Sequence, residues 1–409
     1  MDTCIEYRVN AEAVAIGSGL SSKLPEHKGK RGNVLVYRTD LVERSETFIV
    51  AQAAAMKRYQ AVFCGLSIRP EGILPKDVAQ VILSPDRGVQ GYVKKMAYLY
   101  GGRGHSWQAQ CRACKPVLMH AHFAVDAAFA LPLQKSLNIP LIVTLHGYDV
   151  TTSDEAIKLS RGGRLYLHRR SELFSRADLF VCVSEFIRGK ALERGYPKEK
   201  LFVHSIGIDL DRFRPNECEH REQMVLFVGR LVEKKGCIHL IRAMEKVLQS
   251  APETRLVVIG DGPLRQQLQK TAMSLLPGHH LFLGAQPTSV VHSWLRRAKV
   301  FSVPSVTAAN GDAEGLGMVF CEAQAMGIPV VSFSSGGIAE AVLHGETGYL
   351  LPERDEKQLA EKICLLLQDR ALWSEMSLRG REHIAMKFDL RMQTRILEAK
   401  FDEVIAAAS

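Results

Sequence analysis

Four charged side chains and a pair of glycines carry the strongest chemical signal in this sequence. Glu314 stands directly before Gly315-Leu316-Gly317, and Glu322 follows eight residues after Glu314. The surrounding pattern reads as a strand ending near Pro304, a loop through Asn310-Gly311-Asp312 and a helix beginning near Leu316. Gly315 and Gly317 let the N–H groups at that helix start approach a ligand closely. An anion bound there meets the positive end of the helix dipole. Glu322, one turn along, is placed to accept hydrogen bonds from a diol such as a ribose. Glu314 stands before the helix, where it can hold another polyhydroxyl group. The plain alternative is a surface helix with two solvated glutamates. The second signal is Phe227-Val228-Gly229-Arg230-Leu231-Val232-Glu233-Lys234-Lys235-Gly236, at the end of an apolar run. Arg230 offers a planar fork and Lys235 a point charge, a combination suited to a diphosphate. Basic loop residues are common, so this motif alone does not decide a function.

These side chains need elements to position them. Short apolar runs rich in β-formers alternate with helical patterns along most of the chain. The first half offers strands at Asn33–Tyr37, Ala61–Gly65, Val117–Ala121, Leu141–Leu145, Leu179–Val183 and Leu201–Ile206, with helices including Phe48–Gln60 and Asp126–Leu137. The second half offers strands at Val225–Val228, Leu256–Ile259, Leu281–Leu283, Val300–Pro304 and Val330–Phe333. Its helices are expected at Ile238–Gln249, Leu264–Ser274, Ser289–Arg297, Leu316–Met326 and Gln358–Leu367. Continuous apolar strands between helices predict parallel sheets covered on both faces. A polar break, Asp211–Gln223, contains Pro215 and separates the halves. The expected organisation is a first domain over residues 1–210 with an irregular start at 1–30, a second over 211–385, and a terminal helix over 386–409. Ligands of such sheets bind beyond the carboxyl ends of the strands. Two facing sheets therefore predict a cleft between domains suited to a two-substrate reaction.

Composition narrows the classes. The chain has 409 residues with 46% hydrophobic and 24% charged side chains, an ordinary globular balance. No apolar run approaches the roughly 20 residues that span a bilayer. The acidic residues near the start argue against a secretory signal. Nine scattered cysteines suggest free thiols of a reducing compartment. Cys111 and Cys114 lack the second pair that a zinc site wants, so no metal is expected. The net charge of +9 divides unevenly: residues 1–220 hold 31 Lys+Arg against 23 Asp+Glu, and residues 221–409 hold 22 against 21. A basic first half suits an anionic partner such as a membrane surface or a phosphorylated substrate. Aromatic residues at 7% give no stacking platform for nucleic acid, so none is expected.

Taken in order, the motifs resemble one family. Gly229-Arg230-Leu231 with Lys235-Gly236, then Gly260-Asp261-Gly262-Pro263, then Glu314 and Glu322, then Ser335-Gly336-Gly337-Ile338-Ala339-Glu340 are similar to retaining, nucleotide-sugar-dependent glycosyltransferases of family 4. The resemblance covers roughly residues 33–385 and is densest over 225–352. It implies the GT-B fold, an α/β architecture of two doubly wound Rossmann-like domains facing a cleft. It implies that Arg230 and Lys235 hold the donor diphosphate, that Glu322 binds the ribose and that Glu314 meets the donor sugar. The backbone of Gly315, Leu316, Gly317 and Met318 would surround sugar and phosphate. Leu283-Gly284-Ala285-Gln286 matches the stretch where such enzymes hold the base. Glu340 would orient the second glycine turn.

The first half adds Ser45-Glu46-Thr47-Phe48-Ile49, which resembles a sequence in members that build extracellular polysaccharides. Ser45, Glu46 and Thr47 are loop or acceptor candidates, or a simple helix cap. His120-Ala121-His122-Phe123 and Leu145-His146-Gly147-Tyr148-Asp149 follow strands. By resemblance His146 approaches the donor sugar. His120 and His122 are candidates for acceptor contact or loop shape, and Asp149 for orienting His146 or capping a helix. Arg161, Arg164, Arg169 and Arg170, with Lys94 and Lys95, form a basic set that suits lipid phosphates or a diphosphate-linked acceptor, or is simply a helix with solvated arginines. The expected reaction moves a sugar, most simply from UDP-glucose or a related UDP-hexose, to an oligosaccharide or lipid-linked acceptor, without metal or cofactor. Glu314, His146, Arg230 and Lys235 would carry it. The expected setting is cytoplasmic, with peripheral contact at the inner membrane face. A nucleotide-sugar epimerase and a non-catalytic binding subunit are the alternatives.

Overall fold

The computed structural model describes residues 29–41, 46–68, 78–86, 88–215 and 221–408. Two parallel α/β sheets stand in tandem. The first has seven strands: β1 (Asn33–Tyr37), β2 (Gln60–Gly65), β3 (Gln80–Ile82), β4 (Pro116–His122), β5 (Leu141–Leu145), β6 (Leu179–Cys182) and β7 (Leu201–Val203), in the order β3-β2-β1-β4-β5-β6-β7. The second has six: β8 (Glu222–Val228), β9 (Arg255–Ile259), β10 (His280–Gly284), β11 (Ala298–Phe301), β12 (Val330–Phe333) and β13 (Gly348–Leu351), in the order β10-β9-β8-β11-β12-β13. In each sheet the order reverses direction beside the first strand, between β1 and β4 and between β8 and β11. A crevice opens at such a reversal, beyond the strand ends.

Every residue of β1 and β5 is buried, as expected for central strands covered by helices on both faces. Leu35 pairs with Val62 on one side and Met119 on the other, so the apolar runs lock the register. The edge strand β3 and the helices Val89–Gly101 and His105–Ala113 escaped the sequence reading. β3 is only three residues long, one exposed and two half-buried, and neither helix has a side-chain cap at its start. The helix expected over Phe48–Gln60 is Thr47–Ala55, because Gln60 is taken by β2. The helix expected from Leu316 begins at Met318, because Gly317 adopts a left-handed φ of 81° that no helix continues.

The chain returns to the first sheet at its end. Ile208 bridges Asp389, with Ile208 N–H donating to Phe388 O at 2.8 Å and Leu390 N–H to Ile208 O at 3.0 Å. The helix Leu390–Ala408 then buries Leu397 and Phe401 among Val34, Val36, Ile49 and Phe63. Its Glu398 accepts from the backbone N–H groups of Arg58, at 2.7 Å, and Tyr59, at 3.1 Å. Among the described residues no helix is long and apolar enough to cross a membrane.

Candidate active site

The loop after β8 and the loop after β11 meet at the cleft. Glu233–Lys235 forms one 3-10 turn closed by Gly236, and Lys234 O accepts from Val306 N–H at 2.8 Å, which ties the two loops together. Lys235 Nζ is bonded to the Glu314 carboxylate, with both side chains largely buried. Lys234 Nζ reaches Asp312 at 3.0 Å. Burial alone would raise the Glu314 carboxyl, but the pull of Lys235, Lys234 and Arg230 carries it below its ordinary value. Arg230 is exposed beside this pair and has no hydrogen-bond partner among the described residues. One fixed and one free cation therefore face the same space, as recognition of an anion requires.

Glu322 lies one turn into the helix Met318–Ala325, whose start has no side-chain cap. Protein surrounds its carboxyl on all sides but the cleft, and this burial pushes the group up to about 7, against Arg212 and Lys235, which pull it down. Gln286 holds its own loop by donating to Leu283 O at 2.6 Å.

The first sheet grips this loop from the other side. A Cβ on Gly315 would lie 2.0 Å from His146 O, so only glycine allows the two backbones to touch. Ser184, which caps the helix Glu185–Glu193, donates to Gly315 O at 2.6 Å. Ser153 N–H donates to Asn310 O at 2.9 Å, and Phe186 N–H donates to Glu340 Oε1 at 3.2 Å. Glu340 therefore joins the two domains. Ser184 and Ser153 carried no signal in the sequence, because an N-cap serine looks the same whether or not it has a second partner.

His146 sits at this contact, packed between Phe48 and Phe123 with ring centroids at 5.1 Å and 4.5 Å. Its Nε2 lies 3.0 Å from His122 Nδ1. Burial first, and then Arg38, push His146 well below its ordinary value; burial and the neighbouring cations do the same to His122. Both rings are therefore neutral near pH 7, and one donates to the other. Asp149 does not touch the His146 ring. It clamps the backbone instead, accepting from Gly147 N–H at 3.0 Å, His146 N–H at 3.2 Å and Ala124 N–H at 3.0 Å. The ring itself meets His122, so Asp149 acts on His146 through its backbone.

His120 is fully buried, 2.7 Å from Thr144 Oγ1, with its ring edge on Phe401 of the last helix. It cannot reach an acceptor, because its strand position turns it to the face of the sheet that the last helix covers. Glu46 is also buried and accepts from Arg38 Nη2 at 2.5 Å, so it cannot contact an acceptor directly. Thr47 begins the helix and lines a pocket of about 410 Å³ with Arg212 and Thr288. Ser45 lies outside the described residues. Arg38, which the sequence reading passed over, is held by Glu46 and Asp126 and stacks on Phe123 at 4.4 Å. Its only signal was a lone arginine one residue past the first strand. Among the described residues no cluster of three or more His, Cys, Asp or Glu side chains could hold a metal ion. Cys111 lies 3.6 Å from Cys64, sulfur to sulfur, in the apolar core.

Comparison with known proteins fits this geometry. Residues 51–212 match the family model for Glycosyltransferase Family 4, and residues 210–383 match the model for Glycosyl transferases group 1. The amylovoran biosynthesis glycosyltransferase AmsK of Erwinia amylovora is 32% identical over 284 residues, spanning 68% of this chain and 67% of its own. The chain belongs to glycosyltransferase family 4. Its fold is GT-B: the crystal structure of Anabaena Alr3699/HepE in complex with UDP and glucose matches with a TM-score of 0.71 at 17% identity, covering 91% of this chain and all of that one. A GDP-mannose-dependent alpha-(1-6)-phosphatidylinositol monomannoside mannosyltransferase of Mycobacterium tuberculosis (strain ATCC 25618 / H37Rv) is 32% identical over 223 residues, 52% of this chain and 58% of its own. This family 4 transferase thus combines a cation pair, two carboxylates and a helix start on one side of its cleft with a neutral histidine on the other.

Proposed function

We propose that this chain is a retaining transferase that moves a hexose from a nucleoside diphosphate sugar to an oligosaccharide or lipid-linked acceptor in the building of a polysaccharide. The observation that carries the reading is the convergence of Arg230, Lys235, Glu314 and Glu322 on the Gly315–Gly317 turn. Cleavage of the sugar–phosphate bond leaves charge on the departing diphosphate. Arg230, Lys235 and the start of the helix Met318–Ala325 are arranged to stabilise that charge as it develops. When the diphosphate takes Lys235, Glu314 is released to bind sugar hydroxyls. Glu322 accepts from the ribose. Neutral His146 offers a hydrogen bond to the sugar from the opposite wall. Retention is assigned to front-face displacement, in which the departing phosphate oxygen takes the acceptor proton, so no protein nucleophile and no cofactor enters the scheme.

UDP-glucose or a related UDP-hexose is the proposed donor, supported by the UDP and glucose bound in HepE. The polysaccharide setting is supported by the role in AmsK's name. The GDP-mannose-dependent relative makes GDP the comparison that matters. The test is calorimetric titration of UDP, GDP and ADP into wild type and Glu322→Ala, followed by turnover of the matching nucleotide sugars with a glycolipid extract. Tight binding of UDP, weakened by the substitution, and transfer with the α-anomer preserved are expected. A preference for GDP overturns the donor assignment, and an inverted product overturns the retaining one.

A further inference from the structure

The ring of His146 is caged on three sides. It stands one residue past β5, where Asp149 fixes its backbone N–H and that of Gly147. Its ring lies between Phe48 and Phe123. Phe123 reaches that place through a backbone φ of 69°, a conformation that a bulky side chain adopts only at a cost. The third wall is His122, whose ring stacks on His146 at an interplanar angle of 24° with centroids 5.3 Å apart. His122 is held from behind: its ring packs on His120 at 4.3 Å, and His120 is bonded to Thr144 Oγ1 at 2.7 Å. One polar contact joins the two walls, His122 Nδ1 to His146 Nε2 at 3.0 Å.

Counting protons on this pair gives it a direction. A neutral imidazole carries one N–H and one bare nitrogen. His146 has its Nε2 engaged by His122, so Nδ1 is the nitrogen left for a ligand. That Nδ1 has no partner among the described residues and is not sealed within the protein. The outer nitrogen of His122, Nε2, also lacks a partner among the described residues, and that side chain is only 2% exposed. A nearly buried N–H without an acceptor is costlier than a bare nitrogen without a donor. The Arg38 charge, which acts on both rings, also favours a lone pair at that place over an N–H. The proton of His122 therefore sits on Nδ1 and is donated to His146 Nε2, which leaves the proton of His146 on Nδ1. By the same count the buried His120, whose Nδ1 has no partner among the described residues, keeps its proton on Nε2 for Thr144.

We propose that His122 is a positioning residue of this transferase: it holds His146 in the Nδ1–H form, so that a hydroxyl of the transferred sugar meets a hydrogen-bond donor already aimed and already in the right tautomer. The inference rests on the transferase reading and adds a residue to its site. Which nitrogen of a histidine carries the proton is set by the bond that the other nitrogen makes. An imidazole side chain in water favours the opposite form, with the proton on Nε2. Without His122 nothing holds the His146 ring against that preference, and its Nδ1 turns from donor to acceptor. His122 touches neither sugar nor nucleotide in this scheme and acts through His146 alone, as a supporting side chain that locks the one in contact with substrate.

The test reads the tautomer and the turnover of the same samples. In the full chain with isotope-labelled histidine, the ring nitrogens of His146 are read from proton–nitrogen correlation spectra and assigned by comparison with His146→Gln. Wild type is expected to carry the proton on Nδ1. His122→Leu should move it to Nε2 and lower turnover of UDP-glucose (GDP-mannose if titration selects GDP) about ten-fold, the worth of one hydrogen bond, while nucleotide affinity stays within about two-fold. His122→Asn places an amide N–H where the Nδ1–H stood, so it should keep the proton on Nδ1 of His146 and recover most of that turnover. A proton on Nε2 of His146 in wild type overturns the assignment. Full turnover by the Leu chain overturns it too, and so does an Asn chain as slow as the Leu chain, which would make His122 a packing residue. Should the Leu chain fail to fold, the wild-type and Asn spectra decide. Absence of nucleotide binding and turnover in wild type sinks the transferase reading instead, while the spectra still decide the pairing of His122 with His146.

Discussion

The proposed contact of Glu322 with the ribose links donor affinity to pH in a way that can be calculated. Burial pushes its carboxyl up to about 7 in the empty site. Ribose hydroxyls donate to a carboxylate, so the ionised form is the one that binds. At pH 6 such a group is roughly 10% ionised and at pH 8 roughly 90%, so affinity should rise about ten-fold across that interval. The sign follows from the direction of the shift: a carboxyl at its ordinary value near 4.5 would be ionised throughout and give no slope. Binding should expel close to one proton at pH 6 and about 0.1 at pH 8. The nucleotide's own terminal phosphate also titrates near pH 6, so the measurement is a difference. Calorimetry of UDP in two buffers of unlike ionisation enthalpy, for wild type and Glu322→Gln, isolates the protein's proton. The variant should lose the extra slope and, at pH 8, bind weaker by about 1.5–3 kcal/mol, roughly ten- to a hundred-fold. Identical slopes and proton counts in the two proteins would refute both the ionisation state and the assignment of Glu322 to the ribose.

Three other perturbations test separate parts of the structure. Gly315→Ala places a methyl group against His146 O and should hold the domains apart as well as disturb the glycine turn; we expect turnover to fall at least about ten-fold, and by more than nucleotide affinity does. Equal losses of both would mean that the contact with His146 O adds nothing to turnover beyond donor binding. Burial holds His120 down at about 3 and His204 at about 4, with His122 and His146 also well below 6.5. The unfolded chain therefore takes up protons that the folded chain refuses, and stability present above about pH 6.5 is lost as pH falls toward 4. The cost is about 2 kcal/mol at pH 5 for His204 alone, seen as a lower urea midpoint than at pH 7.5. A midpoint independent of pH between 5 and 7.5 is the contrary result. Deleting residues 389–409 removes buried Leu397 and Phe401, at about 2–3 kcal/mol each, together with the Glu398 bonds to the Arg58 and Tyr59 backbone. The truncated chain should melt far lower or fail to fold, and unchanged melting would show that the last helix is dispensable.

The second half of the site could be read from the sequence because its chemistry is local. Arg230 and Lys235 follow one apolar strand within a single turn, and Glu314 and Glu322 bracket a glycine pair at a helix start, so spacing along the chain translates into spacing in the fold. The first half is assembled across the sheet. His122 meets His146 only because β4 and β5 pair with His122 beside Thr144. Arg38 acquires its partner Asp126 from 88 residues away. Nothing within either segment announces such a pairing. The same limit hid the exposed apolar face of the helix Val89–Gly101. A helical apolar stripe carries no mark of which way it points, and the direction of Val89–Gly101 is set by Tyr98 and Leu99, whose burial between the sheet and the helix Ala124–Leu137 turns Tyr92 and Val93 outward. The proposed donor site is thus written in nearly consecutive residues, whereas the wall opposite is written in tertiary contacts, and this is why the sequence suggested a nucleotide far more sharply than it suggested what receives the sugar.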